Sequence, residues 1–371
     1  MKHRMMFLSP CILFACLIPQ PCQPCTSFCL DHGNQLVFGS NLDWYLDDGL
    51  VIVNKRGVSK TAMTYINMDS NPTSWTSKYG SLTFNQYGRE ITFSGINEAG
   101  LVVSTMMLLE TEYPAPDSRP SLGPGQWTQY QLDNSSTVKE VIASHSQFRM
   151  KPAPGIPGGH YLVCDRTGTC AVIEFIGGKL VYHTDETMPV KTLTNSTYEE
   201  SIQYWKQGKL PIPDEYNSID RFVRASNMIK KYGSKTSKPA VDYAFDTLAH
   251  VAAGEVEEID GQRIRSFGGT EWSIVYDIKN LHIYFRTFEN QNIRHINLNS
   301  FDFFCKTPVK VLDINATLSE DVTNKFTDYT RQINRNLIGS SYRKTLFLRN
   351  YPDDLLDAIS RYPETTTCMN K

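Results

Sequence analysis

The sequence predicts an α+β fold in which helices cover antiparallel sheets. Strand-like apolar runs joined by tight turns fill much of the first half of the chain, and helical patterns dominate the middle. The two kinds of element do not alternate with the regularity of βαβ units. No internal repeat, low-complexity run or Gly/Ser linker divides the chain. We therefore expect residues 25–371 to form one domain.

The strand predictions depend on apolar runs that turn residues separate. Asp31-His32-Gly33-Asn34 and Asn97-Glu98-Ala99-Gly100 each stand between two such runs, as the turns of β-hairpins do. The runs are rich in apolar residues rather than strictly alternating, which is typical of sheets covered on both faces. The predicted strands are Thr26–Leu30, Gln35–Gly39, Ile91–Phe93, Leu101–Leu108, Tyr161–Cys164, Ala171–Ile176, Leu180–His183, Trp272–Ile278 and Leu281–Thr287.

Helical periodicity predicts several helices in the rest of the chain. They are expected near Gln126–His145, Tyr198–Gln207, Ile219–Tyr232, Val241–Ala253 and Leu318–Leu337. Gly233 supplies a C-terminal stop for the third of these helices. The last one has an apolar residue every three or four positions from Leu318 to Leu337, and Thr317 and Glu320 form a candidate capping box before it.

The chain begins with a basic stretch followed by a short apolar one. Lys2 and Arg4 precede the apolar run Met5–Pro19. This run is shorter than the about 20 apolar residues that a membrane span needs and is typical of a secretory signal. We therefore expect residues 1–24 to be a leader that is removed and the protein to be exported, to the bacterial periplasm or outside the cell. A lipoprotein signal ending at Cys16 is an alternative with a poorer match.

Charge and motif content exclude several classes of function. The chain carries 37 basic and 39 acidic residues, so its formal charge of −2 does not favour nucleic acid or an anionic membrane as a partner. No later run is long and apolar enough for a stable membrane span. The eight histidines are scattered, and phosphate-loop, zinc-hydrolase and serine-hydrolase motifs are absent. Neither a metal nor a cofactor is expected.

The cysteines suggest disulfides without determining their connectivity. Cys164 and Cys170 flank a turn between two strand-like runs, which suits a cross-strand bridge, and a Cys305–Cys368 bridge could staple the C-terminal region. Cys22-Gln23-Pro24-Cys25 has the spacing of a redox pair. It precedes a strand rather than a helix, which argues against a redox role.

Cys25 has the chemistry of a nucleophile if the leader ends at Pro24. One residue then carries both a thiol and a free α-amine. A thiolate is a strong nucleophile, and an α-amine with a pKa of roughly 7.7–8.0 is a usable base near neutral pH.

Segments spread over residues 25–340 carry a resemblance to a known family. They are Cys25–Phe28, Leu36–Trp44, Gly95–Leu101, Leu193–Ser196, Asp220–Arg224 and Trp272–Asp277. In this order they resemble the choloylglycine hydrolase and penicillin V acylase family, whose members are N-terminal-nucleophile hydrolases that cleave linear amides. The resemblance implies a four-layer αββα sandwich of two antiparallel sheets, a small-molecule N-acyl amide substrate, no cofactor, and a homotetramer, as many members form.

The resemblance also implies catalytic roles that suit the chemistry of the residues. Cys25 would attack the amide carbonyl and form a thioester, with its own α-amine as the base. Asp43 would hold that amine in place. Asn195 would donate its side-chain amide to the oxyanion, beside a backbone N–H near Met106-Met107. Arg221 would favour the thiolate and orient Asp43 or the substrate.

Two departures from the family bear on the substrate. After Gly39, where many members carry an arginine, this chain has Ser40, which leaves the local electrostatics to Arg221. Around Met106 and Met107 the Asn or Tyr of many bile-salt and penicillin enzymes is missing. These methionines could line an acyl pocket or belong to a buried strand. Ser40, Met106 and Met107 are therefore the candidate substrate-binding residues, and the substrate stays open among bile salts, penicillin V and N-acyl homoserine lactones.

Other functions remain open at this point. The same nucleophile could transfer the acyl group to an amine, the fold could carry a degenerate binding protein, or the chain could be a disulfide-stabilised structural protein. Asn195-Ser196-Thr197 is also a glycosylation sequon, and a glycan there would block the proposed oxyanion donor. This conflict favours a bacterial exported protein.

Overall fold

A computed structural model describes residues 25–64, 70–152, 156–212, 217–233, 238–254 and 268–369, together with the backbone of residues 256–259 and 262–265. The predicted leader, residues 1–24, lies outside the described residues.

Strands make up most of the regular structure. In chain order they are β1 Thr26–His32, β2 Gln35–Trp44, β3 Leu50–Asn54, β4 Val58–Thr61, β5 Ser74–Thr76, β6 Ser81–Asn85, β7 Thr92–Asn97, β8 Val102–Met107, β9 Ser121–Leu122, β10 Arg149–Met150, β11 Gly159–Cys164, β12 Cys170–Ile176, β13 Lys179–Thr184, β14 Thr192–Leu193, β15 Val256–Ile259, β16 Gln262–Arg265, β17 Gly269–Asp277, β18 His282–Thr287, β19 Arg294–Asn297, β20 Lys310–Asp313, β21 Glu320–Asp321, β22 Thr327–Asp328 and β23 Thr367–Cys368.

The described residues also form α-helices along the chain. They are α1 Pro124–Asn134, α2 Val138–Ser144, α3 Tyr198–Lys206, α4 Ser218–Lys231, α5 Ala240–His250, α6 Arg331–Lys344 and α7 Asp353–Arg361. In the part of the chain that the structure describes, none of the helices has the length and apolar character to cross a membrane.

Two large sheets dominate the architecture. The first has the strand order β14-β1-β2-β17-β18-β19-β21, and the second has the order β13-β12-β11-β8-β7-β6-β3-β20-β22. Within them every pair of neighbouring strands is antiparallel except β19 and β21. Gly33, with a φ of +61°, makes the tight turn between β1 and β2.

Both faces of each sheet are covered, which gives four layers. Along β1, Cys25 and Cys29 point into the core between the sheets, whereas Phe28 and Leu30 pack on the other side against α5. The outer face of the second sheet packs in the same way against α1 and α2. Since successive side chains of a strand point to opposite faces, the apolar-rich strands fit the αββα sandwich that the sequence predicts.

The predicted strands and both candidate disulfides are present. Cys164 and Cys170 are directly opposite each other on β11 and β12, with 4.1 Å between their Cα atoms. Cys305 is bonded to Cys368 at the end of the described chain, across a separation of 63 residues. The structure therefore confirms the two pairings that the sequence suggested without assigning.

The helix predicted near Gln126–His145 is two helices. α1 ends at Asn134, and α2 begins after Thr137. The Thr137 side chain accepts from the backbone N–H of Glu140, and the Glu140 carboxylate accepts from the backbone N–H of Thr137. This capping box starts a new helix, so the prediction of one continuous helix was wrong.

The prediction of a helix over Leu318–Leu337 with a Thr317 and Glu320 capping box was also wrong in its first half. Glu320 lies in β21 with a φ of +59°, a conformation that no helix accommodates. The helix begins only at Arg331, where the Thr330 hydroxyl accepts from the backbone N–H of Ile333.

The apolar stripe behind this error serves two separate surfaces. Leu318, Val322 and Phe326 pack on the core between the sheets. Ile333 and Leu337 pack in a different cluster, on the outer side of β3 and β20. Residues with helical spacing therefore reach the core from an irregular segment followed by a shorter helix.

Candidate active site

Cys25 lies at the end of the first inner strand. It directly precedes β1, its side chain is 4% exposed, and it faces the core between the sheets. The antiparallel register pairs Thr26 with Asn41, so Cys25 lies beside the end of β2 that carries Asp43. The Cys25 thiol lies 3.9 Å from the backbone carbonyl oxygen of Asp43. Neighbouring strands thus hold the predicted nucleophile and its predicted carboxylate together.

Asp43 is fully buried, and the next strand holds it in position. Thr270 is its direct partner on β17, and the Thr270 hydroxyl donates to Asp43 Oδ1 at 2.5 Å. A buried carboxylate needs such bonds because water cannot solvate it. Thr270 therefore orients the Asp43 carboxylate at this end of β2.

Arg221 reaches the site from the first turn of α4. Its guanidinium is fully buried and donates through one terminal nitrogen to the Cys25 carbonyl oxygen and to Thr26 Oγ1, the latter at 2.8 Å. The other terminal nitrogen donates to Asn195 Oδ1 at 3.0 Å. The rigid fork of an arginine can serve several acceptors at once in this way.

Asn195 comes from the short segment on the other side of β1. It follows β14, whose Leu193 pairs with Ser27, so Asn195 lies near the start of β1. Its Nδ2 donates to the Met107 carbonyl oxygen at 2.9 Å, while its Oδ1 accepts from Arg221. Bonds at both ends of the amide fix its orientation.

A cavity of about 260 Å³ opens beside Cys25 between the sheet ends and the surrounding loops. Its wall is largely aromatic and aliphatic and includes Trp44, Tyr87, Phe93, Tyr161, Met106 and Met107. Among the described residues, Lys151 is the one charged side chain in the wall. Concave, mostly apolar cavities with a few polar groups are the usual sites for small organic ligands. Met106 and Met107, two of the predicted substrate-binding residues, therefore line an apolar cavity beside Cys25.

Ser40, the third predicted substrate-binding residue, does not line this cavity. It is fully buried, and its hydroxyl lies 3.0 Å from that of Ser27 and 2.9 Å from that of Ser104. The Ser27 and Ser104 hydroxyl oxygens are 3.1 Å apart, so the three close a triangle between the two sheets. Ser40 is therefore surrounded by neutral hydroxyl groups and supplies no charge to the site.

Cys29, the other free cysteine of the described chain, lies on the same face of β1 as Cys25. Burial raises the pKa of its thiol to about 12, so it stays protonated near neutral pH. Its sulfur lies within 4.8 Å of those of Cys164 and Cys170. The disulfide between those two removes the thiolates that a soft metal would need.

Sequence reasoning missed several residues of the site. Thr26 and Trp44 directly follow Cys25 and Asp43 in the motifs, so their positions alone could have drawn attention to them. Thr270 had no such signal, because its contact with Asp43 depends on the pairing of strands 227 residues apart.

Fold and site together define a class of protein. An αββα sandwich of two large sheets is the fold of the N-terminal-nucleophile hydrolases. Here Cys25 stands at the head of an inner strand, beside an apolar cavity. The family model described as linear amide C-N hydrolases, choloylglycine hydrolase family, matches residues 25–311. The chain belongs to this family and is a hydrolase that acts on linear amide C–N bonds.

Known relatives agree with this assignment. The penicillin V acylase of Pectobacterium atrosepticum is 30% identical over 262 residues, which cover 62% of this chain and 69% of the relative. The structure of penicillin V acylase from Agrobacterium tumefaciens superposes with a TM-score of 0.68 at 29% identity, covering 82% of this chain and 98% of that one. A variant of conjugated bile acid hydrolase from Clostridium perfringens shares the fold, with a TM-score of 0.65, 20% identity, and coverage of 79% and 98%.

Proposed function

We propose that this protein hydrolyses an N-acyl amide with an apolar acyl group, through a thioester on Cys25, after residues 1–24 have been removed. The observation that carries the proposal is the position of Cys25, which lies in the wall of the apolar cavity and beside Asp43, Asn195 and Arg221. The similarity to penicillin V acylases supports the choice of substrate class.

The first half of the reaction forms the acyl-enzyme. The Cys25 α-amine takes the thiol proton as the sulfur attacks the amide carbonyl carbon. The tetrahedral intermediate collapses, the C–N bond breaks, and the α-ammonium returns the proton to the departing amine. Asp43, held by Thr270, stabilises the charged amine during this step. Water then attacks the thioester carbonyl carbon with the same amine as base, the C–S bond breaks, and the α-ammonium returns the proton to the Cys25 sulfur as the carboxylic acid is released.

Asn195 is the proposed oxyanion donor. An amide nitrogen carries two hydrogens, and the bond to Met107 uses one of them. The second is available to the carbonyl oxygen as it gains negative charge. Since the Asn195 amide is fixed at both ends, it needs little reorganisation when the charge develops.

Arg221 supplies positive charge next to the nucleophile. Its guanidinium bonds to the Cys25 backbone rather than to the sulfur, so it raises the local potential without blocking attack. A nearby cation favours the thiolate over the thiol. This role is the one that Ser40, as a neutral residue, leaves to Arg221.

Three kinds of substrate satisfy this proposal, and the relatives that are about 30% identical are penicillin V acylases. Penicillin V, N-acyl homoserine lactones and conjugated bile salts each join an apolar acyl group to an amine through a linear amide. The apolar wall suits the acyl half, so the amine half leaves toward solvent in this proposal.

Export and assembly are further parts of the proposal. The basic and apolar leader supports export, and so do the two disulfides, because such bonds persist mainly in oxidising compartments. We also propose that the protein forms a homotetramer, as many members of the family do. Measuring the mass of the native assembly tests this proposal.

The central test compares Cys25→Ala with the matched control Cys29→Ala. We expect the wild-type protein to begin at Cys25 and to hydrolyse at least one member of a panel of penicillin V, bile-salt and homoserine-lactone amides. Loss of the nucleophile should lower the rate at least about 10³-fold. Cys29→Ala should keep the activity, since its thiol is buried and protonated.

Intact mass and product analysis complete this test. When the acyl-enzyme is trapped, the mass of the wild-type protein should increase by that of the acyl group, and the mass of Cys25→Ala should not change. A protein that begins before Cys25 yet is active, or activity retained without Cys25, would refute the mechanism. Products formed with an added amine acceptor distinguish hydrolysis from acyl transfer.

A further inference from the structure

Part of the cavity wall comes from the end of the chain, beyond the range that the family model matches. That match ends at residue 311. Tyr342, Phe347 and Leu348 nevertheless line the cavity together with Cys25. They belong to a stretch that we call the C-terminal segment, residues 331–369, which contains α6, α7 and β23.

The C-terminal segment packs on the cavity loops through an apolar cluster of its own. In this cluster Tyr342 and Leu348 meet Met63 and Tyr87, both of which also line the cavity. The Tyr87 hydroxyl lies 2.9 Å from Thr345 Oγ1. The segment is thus joined to the cavity wall by both apolar and polar contacts.

The loop after β6 makes a close contact with α6. Gly88 has a φ of +110°, and a Cβ built on it would lie 2.7 Å from Ile338. Beside it, the backbone N–H of Arg89 donates to Asn334 Oδ1 at 2.8 Å. A side chain at Gly88 would force α6 away, so this close approach requires glycine.

Contacts outside the cavity also hold the C-terminal segment in place. Asp48 Oδ2 accepts from the Ser340 hydroxyl and from Lys344 Nζ, both at 2.6 Å. At the far end β23 pairs with β4, and the disulfide joins Cys368 to Cys305. Contacts at several points hold the segment as a fixed wall of the cavity.

We propose that the C-terminal segment determines which acyl groups fit the cavity, and that Phe347 is the main specificity-determining residue. Tyr342 and Leu348 are 2% and 5% exposed and hold the segment in place. Phe347 is 39% exposed although it lines the cavity, so it stands at the boundary between cavity and solvent. It limits the length of the apolar acyl group. This inference rests on the proposed function, in which that group occupies the cavity.

The test measures acyl-chain preference in Phe347→Ala, with Leu346→Ala as the control. Leu346 is the neighbouring apolar residue, is 67% exposed and does not line the cavity. The substrates are amides of one amine with linear acyl chains of increasing length. We expect the ratio of kcat/KM for long over short chains to rise at least about tenfold in Phe347→Ala, because small changes in an apolar pocket alter discrimination by about 10–200-fold. Leu346→Ala should leave the ratio within about twofold of the wild-type value.

The outcomes separate the inference from the proposed function. If the wild-type enzyme is active but Phe347→Ala leaves the chain-length ratio unchanged, or changes preference for the amine half instead, the inference is wrong and the proposed function stands. If the wild-type enzyme cleaves no amide, the proposed function is wrong. Calorimetric binding of the free carboxylic acids to the same variants then tests the cavity wall, and an unchanged order of affinities overturns the inference. Thermal unfolding checks each variant, and Phe347→Leu replaces any that does not fold.

Discussion

At the scale of single residues, one guanidinium holds three groups around the nucleophile. Arg221 donates to the Cys25 carbonyl, to Thr26 and to Asn195 from a fully buried position in α4. Because its terminal nitrogens point in fixed directions, Arg221 holds the Cys25 backbone and the Asn195 amide in fixed positions relative to each other. A lysine carries the same charge but cannot reproduce this fork.

Arg221→Lys should therefore impair catalysis more than substrate binding. We expect kcat to fall about 10²-fold, the size of effect seen when an oxyanion donor is lost, with a smaller change in KM. Steady-state kinetics on the processed enzyme provide both constants.

Arg224→Lys is the matched control for this change. Arg224 lies one turn later on α4, is half-buried, and donates to the Ile212 carbonyl oxygen at 2.7 Å. Its substitution should leave kcat within about twofold. A kcat for Arg221→Lys equally close to wild type, in a protein with unchanged thermal unfolding, would exclude the positioning role.

At the scale of elements, the start of α6 shows how a cap overrules an apolar pattern. The spacing of apolar residues is helical throughout Leu318–Leu337, yet the helix begins only at Arg331. Thr330 satisfies the backbone N–H of Ile333 at this point. Before Thr330, the chain forms strands instead: β21 pairs with β19, and β22 pairs with β20.

Thr330→Ala should destabilise the protein, whereas Thr317→Ala should not. Loss of an N-cap hydroxyl costs about 1 kcal/mol. Among the described residues, Thr317 is not the N-cap of a helix, so its change should stay within about 0.5 kcal/mol. Urea unfolding of the two variants gives the free energies. Equal losses would show that the helix boundary is misplaced.

At the scale of the whole molecule, two disulfides constrain very different lengths of chain. Cys164 and Cys170 are six residues apart on adjacent strands, whereas Cys305 and Cys368 are 63 residues apart. The Cys305–Cys368 bond joins the end of the C-terminal segment to the rest of the fold. A cross-link over a longer loop removes more conformational freedom from the unfolded chain.

Removing the long-range disulfide should cost more stability than removing the short one. For loops of these lengths, chain entropy predicts losses of about 4 kcal/mol for the Cys305→Ser, Cys368→Ser pair and about 2 kcal/mol for the Cys164→Ser, Cys170→Ser pair. Urea unfolding of the oxidised proteins measures the difference. The reverse order would mean that native-state packing outweighs loop entropy.

Much of the fold and the membership of the site could be predicted from the sequence. The strands that the sequence predicted follow from turn residues and periodicity, which are local properties of the chain, and Gly233 marks the end of α4, whose last residue is Lys231. Cysteine spacing suggested both disulfide pairings without assigning them, and strands such as β3 and β6 were not predicted. Cys25, Asp43, Asn195 and Arg221 stood in recognisable motifs, and the structure brings them together. Their catalytic roles, the leader and the substrate stay predictions.

What the sequence indicated by itself, through its resemblance to a known family, is the kind of protein: an αββα amide hydrolase with a cysteine at the head of an inner strand. Only the tertiary structure decided the surroundings of that cysteine. It placed Ser40 in a hydroxyl triangle rather than in the cavity, set Thr270 against Asp43, and brought Phe347 into the cavity wall. Each of these contacts joins residues far apart in the chain. Local propensity carries no information about them, because strand register and the docking of packed segments create them.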